Sequence, residues 1–263
     1  MNIFKFELKE TRKSLITWCI TSAIVFWFLI VGIYPMFADG MEVIGDLIKT
    51  MPPEFLIAFG LDVDNMIGYS GFFSFAYIYI ALVGAMMTTS ITVNIFGREK
   101  KCHCQEFLLT KPAKRKHLFL SKIMAVLTNL VVFNIITVGL SLFCFNHYSD
   151  LNTNAILSTL SVTFGQIIFV GISLLITMFI SKIRSAATIT ATVGIIAFLA
   201  EVFINALKIR WLEFFSPLHF FTPKYVNEFG HYDTTLVIYG LLILILALGI
   251  SFIKYIKSDL TRM

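Results

Sequence analysis

Six long apolar runs constrain this sequence more than any other feature. Each offers roughly 18 to 26 residues, which at about 1.5 Å rise per helical residue is enough to cross a hydrocarbon core of about 30 Å. Only 14% of the 263 residues are charged, whereas a soluble domain carries about 25%. The sequence therefore predicts an all-α polytopic membrane protein with a single transmembrane domain over residues 1–263. The six predicted transmembrane helices are about 15–37, 71–96, 123–145, 156–180, 186–207 and 236–253, the fifth fading after Leu199.

The distribution of positive charge predicts the orientation. With the N-terminus inside, 17 of the 21 Lys and Arg residues fall in segments on the inner side and 4 on the outer side. Lys and Arg are enriched in cytoplasmic loops, so both termini are expected to be cytoplasmic. The net charge of +5 is explained by this topology and by contact with anionic lipid, and it does not indicate a nucleic-acid partner.

The longest polar segment lies between the second and third runs, at Gly97 to Lys122. It carries 8 of the 21 Lys and Arg residues and interrupts them with a short apolar step, Phe107-Leu108-Leu109. A basic loop between spans belongs on the cytoplasmic side. An apolar step in such a loop does not serve solubility, so we interpret the segment as a docking element for another protein.

The N-terminal residues 1–13 have an amphipathic pattern. Met1, Phe4 and Leu8 recur at helical spacing beside basic residues. This pattern predicts an elbow helix lying in the membrane interface. The alternative is a plain charged flank of the first span.

Two outer segments are expected to form short helices. The first outer loop, from Ala38 to Ser70, is acidic, and the pair Pro52-Pro53 can end one helix and start another. The second, residues 205–233, is too polar and too broken by proline for a full span, yet it is rich in aromatic residues. An interfacial or re-entrant segment at the outer surface fits that composition.

Small residues form a stripe along the fifth span. They recur every three or four positions, at Ala187, Ala191, Gly194 and Ala197. Small residues allow helix backbones to approach closely in a membrane. The stripe is expected to face either another span of the same chain or a second subunit.

Polar residues within the apolar runs have two interpretations. Glu201 is a functional candidate by default, because an acid within a membrane is costly. It lies roughly 22 Å along the helix from Ala186, near the outer interface, so a transport role and a satisfied interfacial carboxylate both stay open. Asn129, Asn134 and Gln166 are similarly interpreted as links between helices, with a substrate site as the alternative.

The sequence shows few signals of an enzymatic or a metal site. The sequence has no G-x-x-x-x-G-K-[ST] motif, so it does not bind ATP by that route. Gly68-Tyr69-Ser70-Gly71 matches a motif of intramembrane proteases, but a serine nucleophile needs a base, and all five His residues lie in loops or at span ends. Cys102-His103-Cys104 lacks the four ligands and the spacing of structural zinc. No metal site is predicted.

Four stretches resemble the permease subunit of a type-2 ABC exporter, a member of the ABC transporter superfamily. They are FKFELKETRKSLITW, MPPEFLIAFGLDV, REKKCHCQEFLLTKPAKRKHLFLSK and SPLHFF. The third resembles the coupling segment of that family, in which acids precede a leucine pair, a proline and a basic residue. These are Glu99, Glu106, Leu108-Leu109, Pro112 and Arg115. The family often has a small or glycine-containing linker where this chain has Cys102-His103-Cys104.

The resemblance implies a division of labour. An ATP-binding subunit would bind ATP and Mg and dock against a coupling helix through Glu99, Glu106, Phe107, Leu108 and Leu109, so this chain would be a transport subunit without cofactor or enzymatic activity. A second permease subunit, identical or homologous, would complete the pathway, with substrate against the second and fifth spans. Exporters of this kind in the plasma membrane move amphipathic drugs, antimicrobial peptides or lipids.

Two other classes remain open. An ion-gradient-driven secondary transporter would show internal repeats, broken helices and charged groups at mid-membrane, which the sequence does not show convincingly. A membrane sensor or scaffold would use the basic loop to recruit a partner without transport.

Overall fold

A computed structural model describes residues 3–39, 52–61, 68–101, 115–180 and 183–257. Over these residues the chain is built from helices and short connections. Most of the acidic outer loop and the centre of the basic segment lie outside the described residues. In chain order the elements are α1 (Ile3–Phe26), a π-helical stretch (Trp27–Ile33), α2 (Tyr34–Asp39), α3 (Pro53–Ala58), α4 (Gly68–Lys101), α5 (Arg115–Tyr148), α6 (Thr153–Phe179), α7 (Ala186–Leu207), two 3₁₀ turns (Arg210–Phe215 and His219–Phe221), α8 (Pro223–Phe229) and α9 (Thr234–Lys257).

The prediction of an all-α membrane protein is confirmed. Six helices of the described chain are long and apolar enough to cross a membrane: the continuous helix over Ile3–Ala38, then α4, α5, α6, α7 and α9. Each contains one of the six apolar runs. Several helices continue well beyond their apolar runs. The backbone hydrogen bonds of these helices continue into the polar flanks, where polar side chains contact other helices.

The first span begins earlier than its apolar run. Helix α1 runs without interruption from Ile3 through Lys13 into the apolar residues. Glu7 and Thr11 are buried, and Asn129 Nδ2 of α5 donates to Thr11 Oγ1 at 3.2 Å. These inward-facing polar groups hold the N-terminal turns against α5. An elbow helix in the membrane interface over residues 1–13 stays a prediction, as does its alternative, a charged flank of the first span.

Helix α4 is the centre of the bundle. In its apolar stretch 67% of residues are buried within the chain, against 22% in the first and last spans. It packs against α6, α7, α1 and α5. The second span is therefore placed to pass a displacement to most of the other spans, whereas α1 and α9 leave much of their surface to lipid or to a second subunit.

Polar side chains connect the spans inside this core. Asn134 Nδ2 donates to Gln166 Oε1 at 2.7 Å, and Thr163 Oγ1 donates to Asn134 Oδ1 at 2.7 Å. Ser173 Oγ donates to Thr89 Oγ1 at 2.9 Å. These contacts place Asn129, Asn134 and Gln166 in links between helices, the first of the two interpretations of these residues.

The small-residue stripe of α7 divides into two halves. Gly194 and Ala197 are buried, whereas Ala187 and Ala191 are exposed. A Cβ at Gly194 would lie 2.8 Å from Met86 Cγ of α4, so this glycine permits close approach of α4 and α7. The buried face of α7 is formed by Thr190, Gly194, Ala197, Glu201 and Ile204. Packing of Ala187 and Ala191 against a second subunit stays a prediction.

Replacement of Gly194 by Leu should destabilise the protein by about 1–3 kcal/mol, because overpacking a close helix contact forces a backbone shift. The melting temperature in mild detergent measures this effect. Ala191→Leu adds similar volume on the exposed side of the same helix and is the matched control. Equal melting temperatures for the two variants would contradict the close packing of α4 and α7.

Candidate functional site

The basic end of the bundle is the end where α4 finishes at Lys101 and α5 begins at Arg115. Four predicted docking residues (Glu106, Phe107, Leu108 and Leu109) lie between these points and outside the described residues, as do Cys102, His103 and Cys104. The structure does describe how both ends of this segment are attached to the bundle. Those attachments form the first part of the candidate site.

Lys122 is the most buried charge at the basic end. Its side chain is 2% exposed, and its Nζ lies 2.7 Å from Glu99 Oε1 and 3.8 Å from Glu7 Oε1. It also donates to the backbone carbonyl of Ile95 at 2.9 Å. A buried ammonium is tolerated only when it is paired and hydrogen-bonded. Lys122 therefore binds α5 to α4 and brings both beside α1.

Arg98 makes a second connection between α4 and α1. Its Nη2 lies 3.4 Å from Glu7 Oε2, and its Nη1 lies 3.7 Å from Glu10 Oε2. The guanidinium carbon lies 5.3 Å from the centre of the Phe6 ring, within cation–π range. We call Glu7, Glu10, Arg98, Glu99 and Lys122 the ion cluster. The ion cluster joins α1, α4 and α5 at the basic end of the bundle.

Two further cations cap neighbouring helices. Lys100 Nζ donates to the carbonyls of Thr177 (2.7 Å), Met178 (3.2 Å) and Ile180 (2.7 Å) at the end of α6. Arg115 Nη1 donates to the carbonyl of Ile256 near the end of α9 at 2.6 Å. The last carbonyls of a helix have no partner within it and carry partial negative charge, so cations stabilise them. Both ends of the basic segment are thus attached to α6 and α9 as well.

Glu99, a predicted docking residue, forms an ion pair within the described part of the chain. Its side chain is 16% exposed and its carboxylate contacts Lys122, so its role in docking stays a prediction. Glu7 and Lys122 were not identified from the sequence, although a signal was present. Lys122 follows Leu118 and Phe119 at helical spacing, and both are buried, so Lys122 lies on the inward face of α5.

At the opposite end of the bundle Glu201 has partners for both carboxylate oxygens. Ser216 Oγ donates to Oε2 at 2.8 Å, and His219 Nδ1 lies 2.8 Å from Oε1. Glu201 is 3% exposed and connects α7 to the segment that follows it. The geometry satisfies this carboxylate within the fold. Glu201 also lines the cavity described below, so a transport role for it stays a prediction.

The segment after α7 is fixed to the bundle by further hydrogen bonds. Tyr77 Oη of α4 donates to the carbonyl of Leu218 at 3.0 Å. Asn227 Nδ2 of α8 donates to the carbonyl of Ser70 and to Ser74 Oγ, both at 3.0 Å. This segment is consequently attached to both the second and the fifth spans.

A cavity of about 560 Å³ lies between these attachments. It is bounded by the ends of α4 and α7, by α3 and by the segment after α7, and its volume falls in the range of small-molecule sites. Its lining mixes apolar, aromatic and charged side chains, among them Phe75, Ile204, Asn205, Glu213, Glu228 and Tyr225. Such a lining is suited to an amphipathic molecule.

His219 borders the cavity and has a perturbed pKa. Burial lowers the pKa of His219, but the carboxylates of Glu201 and Glu213 raise it, against a smaller opposing effect of Lys224, so the net shift is upward. A histidine whose pKa is higher in the folded protein stabilises the fold fully below its unfolded pKa, about 6.5, and loses that contribution as pH rises through the folded pKa.

The melting temperature should therefore fall as pH rises above about 6.5, and the fall should be shallower in His219→Gln. Differential scanning fluorimetry across neutral pH measures it. His231→Gln is the control, since His231 is exposed and its ring contacts the adjacent Tyr232 carbonyl. A wild-type profile identical to that of His219→Gln would contradict the charged pair with Glu201.

A family relationship extends over almost the whole chain. Residues 1–260 match the family described as ABC-2 family transporter protein. No curated protein matches the chain significantly. Permeases of this family are membrane transport subunits that work with an ATP-binding partner and are not themselves the ATPase. With its six apolar helices, the chain belongs to the ABC-2 transporter family and is a multi-pass membrane permease.

Proposed function

We propose that this permease forms the membrane part of an ATP-driven exporter and that the basic segment Gly97–Lys122 docks a separate ATP-binding subunit through Glu99, Glu106, Phe107, Leu108 and Leu109. The observation that carries the proposal is the attachment of this segment. Its two ends are connected to α1, α6 and α9 through the ion cluster and through the caps of Lys100 and Arg115. When a partner pushes on a segment attached in this way, the force reaches the helices of the bundle as well as the backbone of the segment.

The length of α4 and α5 supports docking by a soluble partner. Each helix has 34 residues, or about 50 Å at 1.5 Å per residue, against a hydrocarbon core of about 30 Å. Both helices therefore extend beyond the membrane at one or both ends. Their basic ends carry the excess of Lys and Arg that is expected in the cytoplasm, where an ATP-binding subunit is found.

The substrate pathway is proposed to run between two permease subunits, identical or homologous, along the second and fifth spans. The cavity of about 560 Å³ at the ends of α4 and α7 supports this path, since both spans contribute to it. Its mixed lining favours amphipathic substrates, which include drugs, antimicrobial peptides and lipids. We infer export across the plasma membrane from the family resemblance of the coupling segment.

The energy conversion follows from differential affinity. Closure of the ATP-binding subunits around ATP must favour one arrangement of the two permease halves over the other. The docked segment would move with those subunits. Because α4 is central and α5 is held to it by Lys122, movement of the segment would tilt the second and third spans and change access to the cavity.

The double variant Leu108→Asp, Leu109→Asp should lose the ATP-binding subunit, because two carboxylates cannot enter an apolar groove without a large desolvation cost. We expect at least about a tenfold drop in the co-purified subunit, corresponding to about 1.4 kcal/mol or more of binding energy. A pull-down in mild detergent followed by an assay of vanadate-sensitive ATP hydrolysis measures it.

Leu151→Asp is the matched control, since Leu151 is an exposed leucine at the opposite end of α5. It should leave co-purification unchanged. Normal recovery of an active ATP-binding subunit with the double variant would refute docking by this leucine pair. A wild-type permease that purifies alone and without ATPase activity would contradict the proposed function as a whole.

A further inference from the structure

We propose that Glu99 and Lys122 form a latch that closes the base of the docking segment, and that Lys122 is a positioning residue for ATP-driven movement. The inference deepens the proposed function and rests on it. Neither residue touches substrate or ATP. They act by making the ends of α4 and α5 move as one unit when the segment between them is displaced.

The position of the pair along the chain supports a latch. Glu99 lies two residues before the end of α4, and Lys122 lies about two turns after the start of α5. The contact of 2.7 Å between them therefore encloses residues 100–121 in one loop. A force applied to that loop therefore acts on α4 and α5 with their bases joined, while Lys100 and Arg115 connect the same loop to α6 and α9.

The composition around Lys122 indicates a role other than stability. Its neighbours on the same face of α5 are Leu118, Phe119, Ala125 and Val126, and all four are buried. A buried ion pair contributes little net stability, and replacing the whole pair by apolar residues of similar size is often neutral or better. A lysine at this position fixes the distance between α5 and two groups of α4, the Glu99 carboxylate and the Ile95 carbonyl.

The connection to α1 is looser than the latch. Glu7 lies 3.4 Å from Arg98 and 3.8 Å from Lys122. Glu7 Oε2 and Arg98 Nη1 are buried and make no hydrogen bond within the described part of the chain. These distances allow electrostatic attraction without a fixed hydrogen-bond geometry. Helix α1 can therefore adjust its position against a pair of helices that stay joined.

Loss of the latch should uncouple hydrolysis from movement. With Lys122 neutral, the last turn of α4 and the first turns of α5 can separate when the segment is pushed. The displacement would then be absorbed at the base and would not tilt the spans. Lys122→Met leaves all five predicted docking residues unchanged, Glu99 among them, so the ATP-binding subunit should still dock. Because the double variant also changes Glu99, co-purification of the subunit is measured for it before any movement is compared.

A purely structural role makes a different prediction for the double variant. Removing Lys122 alone leaves the carboxylates of Glu99 and Glu7 without their shared cation and destabilises the protein. The double variant Glu99→Gln, Lys122→Met removes one of these two unpaired charges and should recover part of the stability. Under a structural role, activity would recover in step with that stability. Under the latch, the double variant would remain uncoupled.

The test uses the complex of permease and ATP-binding subunit in lipid nanodiscs. The four cysteines are replaced, and spin labels are placed at two exposed positions. Position 151 lies in the turn after α5, and position 203 lies on α7. The readout is the change in distance between the labels from the ATP-free to the vanadate-trapped complex, divided by the rate of ATP hydrolysis. We expect this ratio to fall about tenfold in Lys122→Met and in the double variant, the size of a typical coupling between sites.

Two variants serve as controls. Lys116→Met removes an exposed charge from the same helix and should behave as the wild type. Lys122→Arg keeps the charge and the hydrogen bond to Glu99 and should restore most of the coupling. A double variant that hydrolyses ATP and moves its labels as the wild type does would overturn the latch.

A second arm separates the latch from the proposed function. Hydrogen exchange of the purified permease alone should become faster in the last turn of α4 and the first turns of α5 when both partners are replaced. Unchanged exchange there would overturn the latch, whether or not an ATP-binding subunit assembles. Absence of ATP-dependent movement in the wild-type complex, with faster exchange in the variant, would instead contradict the proposed function while supporting the latch.

Discussion

The hydrocarbon core offers no hydrogen-bond partners, and every feature of this protein follows from that constraint. It confines the spans to helices, whose backbone groups are satisfied internally. It also favours a partner on another helix or on the same backbone for polar side chains inside the bundle. Asn134 and the carbonyl oxygen of Gln166 are paired at mid-bundle, Glu201 is paired with Ser216 and His219, and Lys122 with Glu99. Gln166 Nε2 and several buried hydroxyls make no hydrogen bond within the described residues.

The two ends of the bundle use these polar contacts differently. At the basic end, charged side chains of α4 and α5 connect the basic segment to α1, α6 and α9. At the opposite end, Tyr77, Asn227 and Glu201 hold the segment after α7 around a cavity. Helix α4 takes part in both sets of contacts and is the most buried of the described spans. It is therefore the physical connection between the basic segment and the cavity.

Residue patterns predicted the helices better than they predicted which residues contact each other. The six apolar runs predicted the spans, because a run of about 20 apolar residues has few other stable environments. Half of the stripe of α7, Gly194 and Ala197, is buried within the described part of the chain, whereas Ala187 and Ala191 are exposed there. The packing of Glu7 and Thr11 against other helices could not be deduced from amphipathicity, since the same pattern suits an interfacial helix and a helix packed against a polar partner.

The sequence by itself determined the class of protein, the number of spans and the position of the basic segment, because length, hydropathy and charge along the chain are local properties. The family relationship over residues 1–260 likewise depends on sequence alone. Only the tertiary structure decided that Glu99 faces Lys122, that Glu7 joins them and that Glu201 is satisfied by His219. These contacts join residues far apart in the chain, and the relative rotation of packed helices, which no local pattern encodes, brings them together.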